Sequence, residues 1–446
     1  MSVNRFPKVL MISSANPFKG PGKIAWDNYL VIRDFGIEVD FLTMYKTDNP
    51  EVMSVFDEQN SDGWKFKLKY CRKSLKDRVL NKIGWLKSSK SGFCFFYRKE
   101  SAPPVDEKWV LKKVDKKYDL VIVVFWQGLL SFSTIEKLYD KLKCQFHFRF
   151  VDYSPMSGGC HFTMDCDRYK VGCGMCPAFG STNKCDFTAY NVKERMRIYD
   201  KVKPVIYGNS YMQSFYKDSF LLKNMQYELS YPIVNESEFT PLNRLDIRME
   251  LGISETKKFL ILFGCQHLND VRKGINYLFE ALSIFYETLK EEQRKDVLLL
   301  VIGNQYNEVP NEISFDTLNF GYVDYLKLSK LYAVSDIFLS PSVHDAGPMM
   351  VNQSLSCGTP VVAFEMGAAI DVIKDKGTGY CAEMKNSADF ARGIYEIYKQ
   401  TDEERQLMRN KCRELALQTS AREVRVKAML DIYEKYKRKR EKNSPC

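Results

Sequence analysis

With 446 residues and 45% hydrophobic content, the chain is too long for a single core and fits two domains of ordinary size. The net charge is +10 and there is no low-complexity tract. No apolar run, Leu120–Trp126 included, approaches the ~20 residues that cross a bilayer, so disordered and helical-membrane classes are excluded. Val9–Ile12 is too short for a signal-peptide core and reads as a first strand. Thirteen cysteines, an odd number, without such a leader predict reduced thiols and a cytoplasmic location.

Lys8–Ser13 is predicted as that strand, followed by a loop with Gly20 and Gly22, a helix over about 24–35 and a strand over 39–42. This is a βαβ opening, in which the two glycines let backbone approach a ligand. There is no G-x-G-x-x-G and no P-loop lysine pattern, so dinucleotide and P-loop readings fail. Residues 64–99 carry twelve Lys/Arg against Asp77 alone, interleaved with Trp64, Phe66, Tyr70 and Trp85. Such a stretch suits an anionic membrane surface or a phosphate-bearing substrate; nucleic acid or a solvated insertion explains it too. A strand over 118–125, a helix over 135–142 and a strand over 146–151 follow.

Asp152 then stands at a strand's carboxyl end, where it either faces a ligand cleft or caps the next turn. Within 152–185, Cys160, Cys166, Cys173 and Cys176 have the spacing C-x5-C-x6-C-x2-C. Four thiolates at this spacing can form a closed, structural zinc shell, with neighbouring His161 as a substitute ligand. Four packed thiols in a loop account for the spacing equally well.

A strand is predicted over 203–210 and another over 258–263. Arg272-Lys273-Gly274 precedes a helix from Ile275 and offers two cations for a diphosphate, the alternative being an ordinary solvated Arg-Lys pair. Strands and turns follow at 297–304 and 318–323. Ile337–Leu339 is a buried strand, and Gly347-Pro348 opens a helix over 349–357, with Pro348 at its first position. Val361–Phe364 is the next strand. Asp345 lies ahead of this helix and Gln353 one to two turns into it. A charged helix is predicted over 403–437.

The stretch Asp345…Gln353-Ser-Leu-Ser-Cys357-Gly358-Thr359-Pro360 resembles the E-x7-E region of family-4 glycosyltransferases. Asp345 stands at the first acidic position and Gln353 at the second. Asp152, Pro155, Ser157-Gly158-Gly159-Cys160-His161, Cys166, Gly172-Cys173 and Cys176-Pro177 are similar to a motif of a bacterial polysaccharide-biosynthesis subgroup. Val151 replaces the histidine that this subgroup often carries. The resemblance implies an α/β GT-B fold, with two Rossmann-like domains whose parallel sheets face a central cleft. Residues 1–238 correspond to the acceptor-side domain, 239–410 to the nucleotide-sugar domain and 411–446 to a helix returning to the first domain.

What the resemblance implies is a retaining transferase moving sugar from a nucleotide-diphosphate sugar to a lipid-linked saccharide in lipopolysaccharide or capsule assembly. It would work on the inner membrane face, without nucleic acid and without a catalytic metal. Arg272, Lys273 and the backbone of Gly347, Pro348, Met349 and Met350 then meet the diphosphate. Asp345 meets the sugar, Gln353 the ribose, the Gly321-Tyr322 backbone the base, and the Gly20–Gly22 loop the donor phosphates or acceptor. An inactive sugar-nucleotide-binding scaffold and a sugar-nucleotide epimerase of the same fold remain open. A nucleic-acid-binding protein ranks last, because it leaves most of the chain unexplained.

Overall fold

The computed structural model describes residues 5–56, 92–95, 100–264, 270–303 and 315–443. The basic aromatic stretch, apart from 92–95, lies outside these residues, as do 265–269 and 304. The chain forms two compact units, the first of residues 1–208, 213–229 and 426–446, the second of 209–212 and 230–425. Glu238 and residues 411–425 therefore fall within the second unit. Phe239, Cys412 and Ala416 explain this, because all three are buried in its core.

The first unit is built on a parallel sheet of order β3-β2-β1-β4-β5-β6-β7. Its strands are β1 (Val9–Ser13), β2 (Val39–Thr43), β3 (Val52–Ser54), β4 (Leu120–Phe125), β5 (Gln145–Arg149), β6 (Val205–Gly208) and β7 (Gln226–Leu229). Every residue of β4 is buried, as expected of a continuous apolar run in a sheet covered on both faces. The helices are α1 (Pro21–Asp34), α2 (Glu107–Lys113), α3 (Phe132–Leu142), α4 (Phe187–Val202) and α5 (Ser210–Asp218). Helix α1 starts earlier than the sequence predicts, with Pro21 in its first turn. Strand β5 stops at Arg149, so Asp152 lies beyond the strand in a bend.

The second unit has a parallel sheet of order β10-β9-β8-β11-β12-β13. Its strands are β8 (Phe259–Gly264), β9 (Val297–Ile302), β10 (Asp316–Asn319), β11 (Ile337–Ser340), β12 (Val361–Phe364) and β13 (Gly379–Ala382). Strand periodicity sends alternate residues to opposite faces. Leu260 and Leu262 enter one core layer, while Phe259, Ile261 and Phe263 enter the other. The helices are α6 (Arg244–Glu250), α7 (Ile275–Thr288), α8 (Glu291–Asp296), α9 (Tyr325–Val334), α10 (Met349–Ser356), α11 (Ala368–Val372) and α12 (Ser387–Tyr398).

The helix expected over 403–437 is instead two, α13 (Asp402–Thr419) and α14 (Arg422–Asn443). The break has a backbone cause. Ala421 forms a parallel bridge with Val234, whose N–H donates to the Ser420 carbonyl at 2.9 Å. At its far end α14 packs Tyr436 against Val205 and Tyr207 of β6. Among the described residues no helix is long and apolar enough to cross a membrane.

Candidate functional site

In the second unit the strand order reverses between β8 and β11. In doubly wound sheets the crevice beyond the strand ends at this reversal is where ligands bind. The segment after β8 resumes at Asp270, forms a short turn over Val271–Lys273 and enters α7 through Gly274. The segment after β11 runs from Pro341 to Pro348 and enters α10.

Backbone contacts hold these two segments together. The N–H groups of Val343 and His344 donate to the Arg272 carbonyl at 2.8 and 3.3 Å. Gly274 has φ 63°, and a Cβ there would lie 2.0 Å from the Pro341 carbonyl oxygen. Only glycine satisfies both the left-handed backbone and this approach.

The result is a charged pair at the switch point. Lys273 Nζ lies 2.7 Å from Asp345 Oδ2, and Gly347 N–H donates to Asp345 Oδ1 at 3.2 Å. Burial disfavours the charge on Asp345, but Lys273, the Gly347 N–H and Arg272 together outweigh it and hold the carboxyl below the usual carboxylate range. Arg272 pairs with Asp270, which also caps the turn by accepting from Arg272 N–H at 3.1 Å.

Pro348 is the N-cap of α10 rather than its first helical residue, since its ψ of 121° is extended. The helix start has no side-chain cap and no acidic residue in its first turn. An uncapped helix start of this kind suits an anion. Met349 and Met350 are half-buried and pack against the core of the unit. Asn209 Nδ2 donates to the Ala346 carbonyl at 2.6 Å and steadies the same loop.

Other sequence candidates are placed less uniformly. Gln353 lies on α10 with only 5% exposure, so any ribose contact requires a buried approach. Gly321, at φ 60°, donates to Asn319 Oδ1 at 3.0 Å, and Tyr322 beside it is 76% exposed. In the first unit Gly20 is the N-cap of α1 at φ 54°, with open space where a Cβ would be. Gly22 is within the helix, and a Cβ there would meet the Asn16 carbonyl oxygen at 2.0 Å. Its glycine therefore serves helix–loop packing.

Asp152 is buried, with Oδ2 2.7 Å from His161 Nδ1 and Oδ1 accepting from Ser154 N–H at 2.7 Å. That is the turn-capping alternative, reinforced by a histidine contact; the carboxylate is not presented to solvent. His161 is likewise engaged by Asp152 at Nδ1 instead of turning that nitrogen to a metal.

The loop after Asp152 is held by a residue that no motif marks. Arg195 on α4 is buried, donates to the Ser154 and Ser157 carbonyls, and is paired with buried Glu100. Trp126 Nε1 donates to the same Glu100 at 3.3 Å. A long-range buried ion pair of this kind has no local sequence signal.

Cys160, Cys166, Cys173 and Cys176 line a common cavity of about 20 Å³. Burial pushes each thiol up, Cys173 to about 12. Among the described residues no group of three or more His, Cys, Asp or Glu side chains is placed to hold a metal ion.

Residues 243–415 match the family model described as Glycosyl transferases group 1. This group 1 match spans both loops of the switch point and the whole of α10. A curated relative is N,N'-diacetylbacillosaminyl-diphospho-undecaprenol alpha-1,3-N-acetylgalactosaminyltransferase of Campylobacter jejuni. It is 24% identical over 42% of this chain and 58% of its own length. The matches to the first curated relatives span only 38 to 46% of those proteins. Sucrose-phosphate synthase of Thermosynechococcus elongatus has a similar structure, with a TM-score of 0.62 and 14% identity over 96% of this chain and 98% of that one. HepE of Anabaena in complex with UDP-glucose has a TM-score of 0.58 and 11% identity, covering 96% of this chain and 100% of that one. The fold is accordingly that of the GT-B glycosyltransferases, two Rossmann-like units with parallel sheets.

Proposed function

We propose that the chain is a retaining glycosyltransferase that moves a sugar from a nucleotide-diphosphate sugar to a saccharide acceptor. The observation that carries this reading is the Lys273–Asp345 pair at the switch point of the second unit. Departure of a diphosphate from an oxocarbenium-like sugar builds negative charge on the leaving group, and preorganised cations and N–H groups stabilise it. Lys273 exchanges Asp345 for the diphosphate when donor binds, and the first N–H groups of α10 share the charge. Arg272 adds a second cation. Asp345 keeps its bond from Gly347 and orients the sugar. No divalent metal is needed in this scheme if these cations neutralise the diphosphate.

A lipid-linked acceptor in cell-surface polysaccharide assembly fits the likeness to a transferase named for a diphospho-undecaprenol acceptor. The location is then the inner membrane face. The basic aromatic stretch is the part of the sequence suited to that surface, and charge reversal at Lys65, Lys67, Lys69 and Arg72 should abolish binding to anionic vesicles. Unchanged vesicle binding removes the membrane assignment.

The deciding experiment is calorimetry with UDP, GDP, ADP and CDP, wild type beside Lys273→Ala. UDP is the first nucleotide to try, given the likeness to a protein solved with UDP-glucose. Losing Lys273 should weaken the preferred nucleotide roughly ten- to hundredfold, the worth of a charge-assisted hydrogen bond. Absence of binding by the wild type to all four overturns the transferase assignment.

A further inference from the structure

We propose that Cys160, Cys166, Cys173 and Cys176 bind one zinc ion in a structural four-thiolate site that locks the loop carrying Asp152. This does not depend on the transferase reading.

The first support is convergence. Residues spread over seventeen positions of the sequence place four thiols on the wall of one cavity of about 20 Å³. That volume is room for about one water-sized sphere. Thiols are weak hydrogen-bond partners for a water, and the rest of the wall combines Phe93, Phe95, Tyr169 and Pro177 with Thr163, Arg168 and Thr188. A single ion fits where an iron–sulfur cluster does not.

The second support is what one of the sulfurs already accepts. Gly158 N–H donates to Cys173 Sγ at 3.2 Å. A backbone donor of this kind orients a ligand sulfur. Four buried thiolates without a counter-charge repel and are poorly solvated; a divalent cation removes both penalties.

The third support is the backbone. Met164, Cys173 and Met175 all have positive φ, at 50°, 61° and 48°. A Cβ on Gly174 would meet the Lys184 carbonyl oxygen at 2.1 Å. Non-glycine residues adopt this region at a cost, and they persist where their surroundings over-determine them. No three His, Cys, Asp or Glu side chains among the described residues are placed to hold an ion, so binding requires the four sulfurs to converge further. Soft thiolates in a closed tetrahedral shell select zinc, in a structural rather than catalytic role.

The test uses the full chain, expressed with zinc in the medium and purified with reductant and without chelator. Elemental analysis should find about one zinc per chain, and X-ray absorption a sulfur-only shell near ~2.3 Å. The double variant Cys173→Ser/Cys176→Ser should retain less than about a tenth of a zinc per chain, since two of four ligands are lost. A far-ultraviolet circular dichroism spectrum and a cooperative urea transition matching wild type check that the variant is folded. A shell of nitrogen or oxygen overturns the proposal, as does zinc retained by the double variant. So does a wild type that holds none and takes up none on titration with zinc chloride. Should the double variant fail to fold, the wild-type absorption spectrum alone decides.

Discussion

Lys273 Nζ lies 2.7 Å from Asp345 Oδ2 across 72 residues of sequence, at the point where the second unit's sheet reverses its strand order. Each partner comes from a different strand end, so the pair exists only when β8 and β11 are neighbours. That adjacency makes it a reporter of the assembled site as well as a candidate part of the chemistry.

The pair has a defined pH behaviour. Asp345 is held below its ordinary value of 3.8, chiefly through Lys273 acting against burial. A depressed carboxylate contributes stability above its unfolded value, about 3.9, and loses it as pH falls through the lower folded value. Stability from this source should be flat between about pH 5 and 8 and fall away below about pH 4. Comparing Asp345→Asn with wild type by urea unfolding across pH checks it. The difference between the two should shrink in acid; a difference growing toward low pH contradicts the assignment.

Glycine substitutions should separate packing from conformation. At Gly274 an added methyl meets the Pro341 carbonyl oxygen at 2.0 Å, with φ 63° besides. Gly321 has nearly the same φ, 60°, but nothing within 4 Å of the added atom. Gly321→Ala should cost about 1 kcal/mol, the left-handed penalty alone. Gly274→Ala should cost more than about 2 kcal/mol, because backbone must move too. Equal losses in chemical denaturation would show that the two loops are not packed as described.

Arg195 and Glu100 make the third case. Both side chains are at most 1% exposed. Removing one partner strands the other's charge, at about 3–5 kcal/mol. Arg195→Met should therefore destabilise the first unit strongly and expose the 152–185 loop to protease. Pairing it with Glu100→Gln should recover part of the loss. No recovery in the double variant means the arginine acts through its carbonyl bonds to Ser154 and Ser157 alone.

The sequence by itself determined the elements whose physics is local. Continuous apolar runs such as Leu120–Phe125 and Val297–Ile302 read as buried strands because a sheet covered on both faces leaves no polar side. Asp345 and α10 were legible through a motif whose parts lie close together in sequence, and Lys273 through its place just ahead of a helix.

Tertiary structure decided the rest. The helix break at Ser420–Ala421 comes from pairing with Val234, nearly two hundred residues away, and no propensity encodes it. Gly22 reads as a ligand loop until Asn16 is seen against it. Asp152 at a strand end looks available, yet His161 folds back and buries it. Arg195 and Glu100 meet across 95 residues, and only the packed fold brings such charges together. Local preference sets which residues form strands and helices; which polar groups face one another depends on closure of the chain, and that is not written in any single stretch.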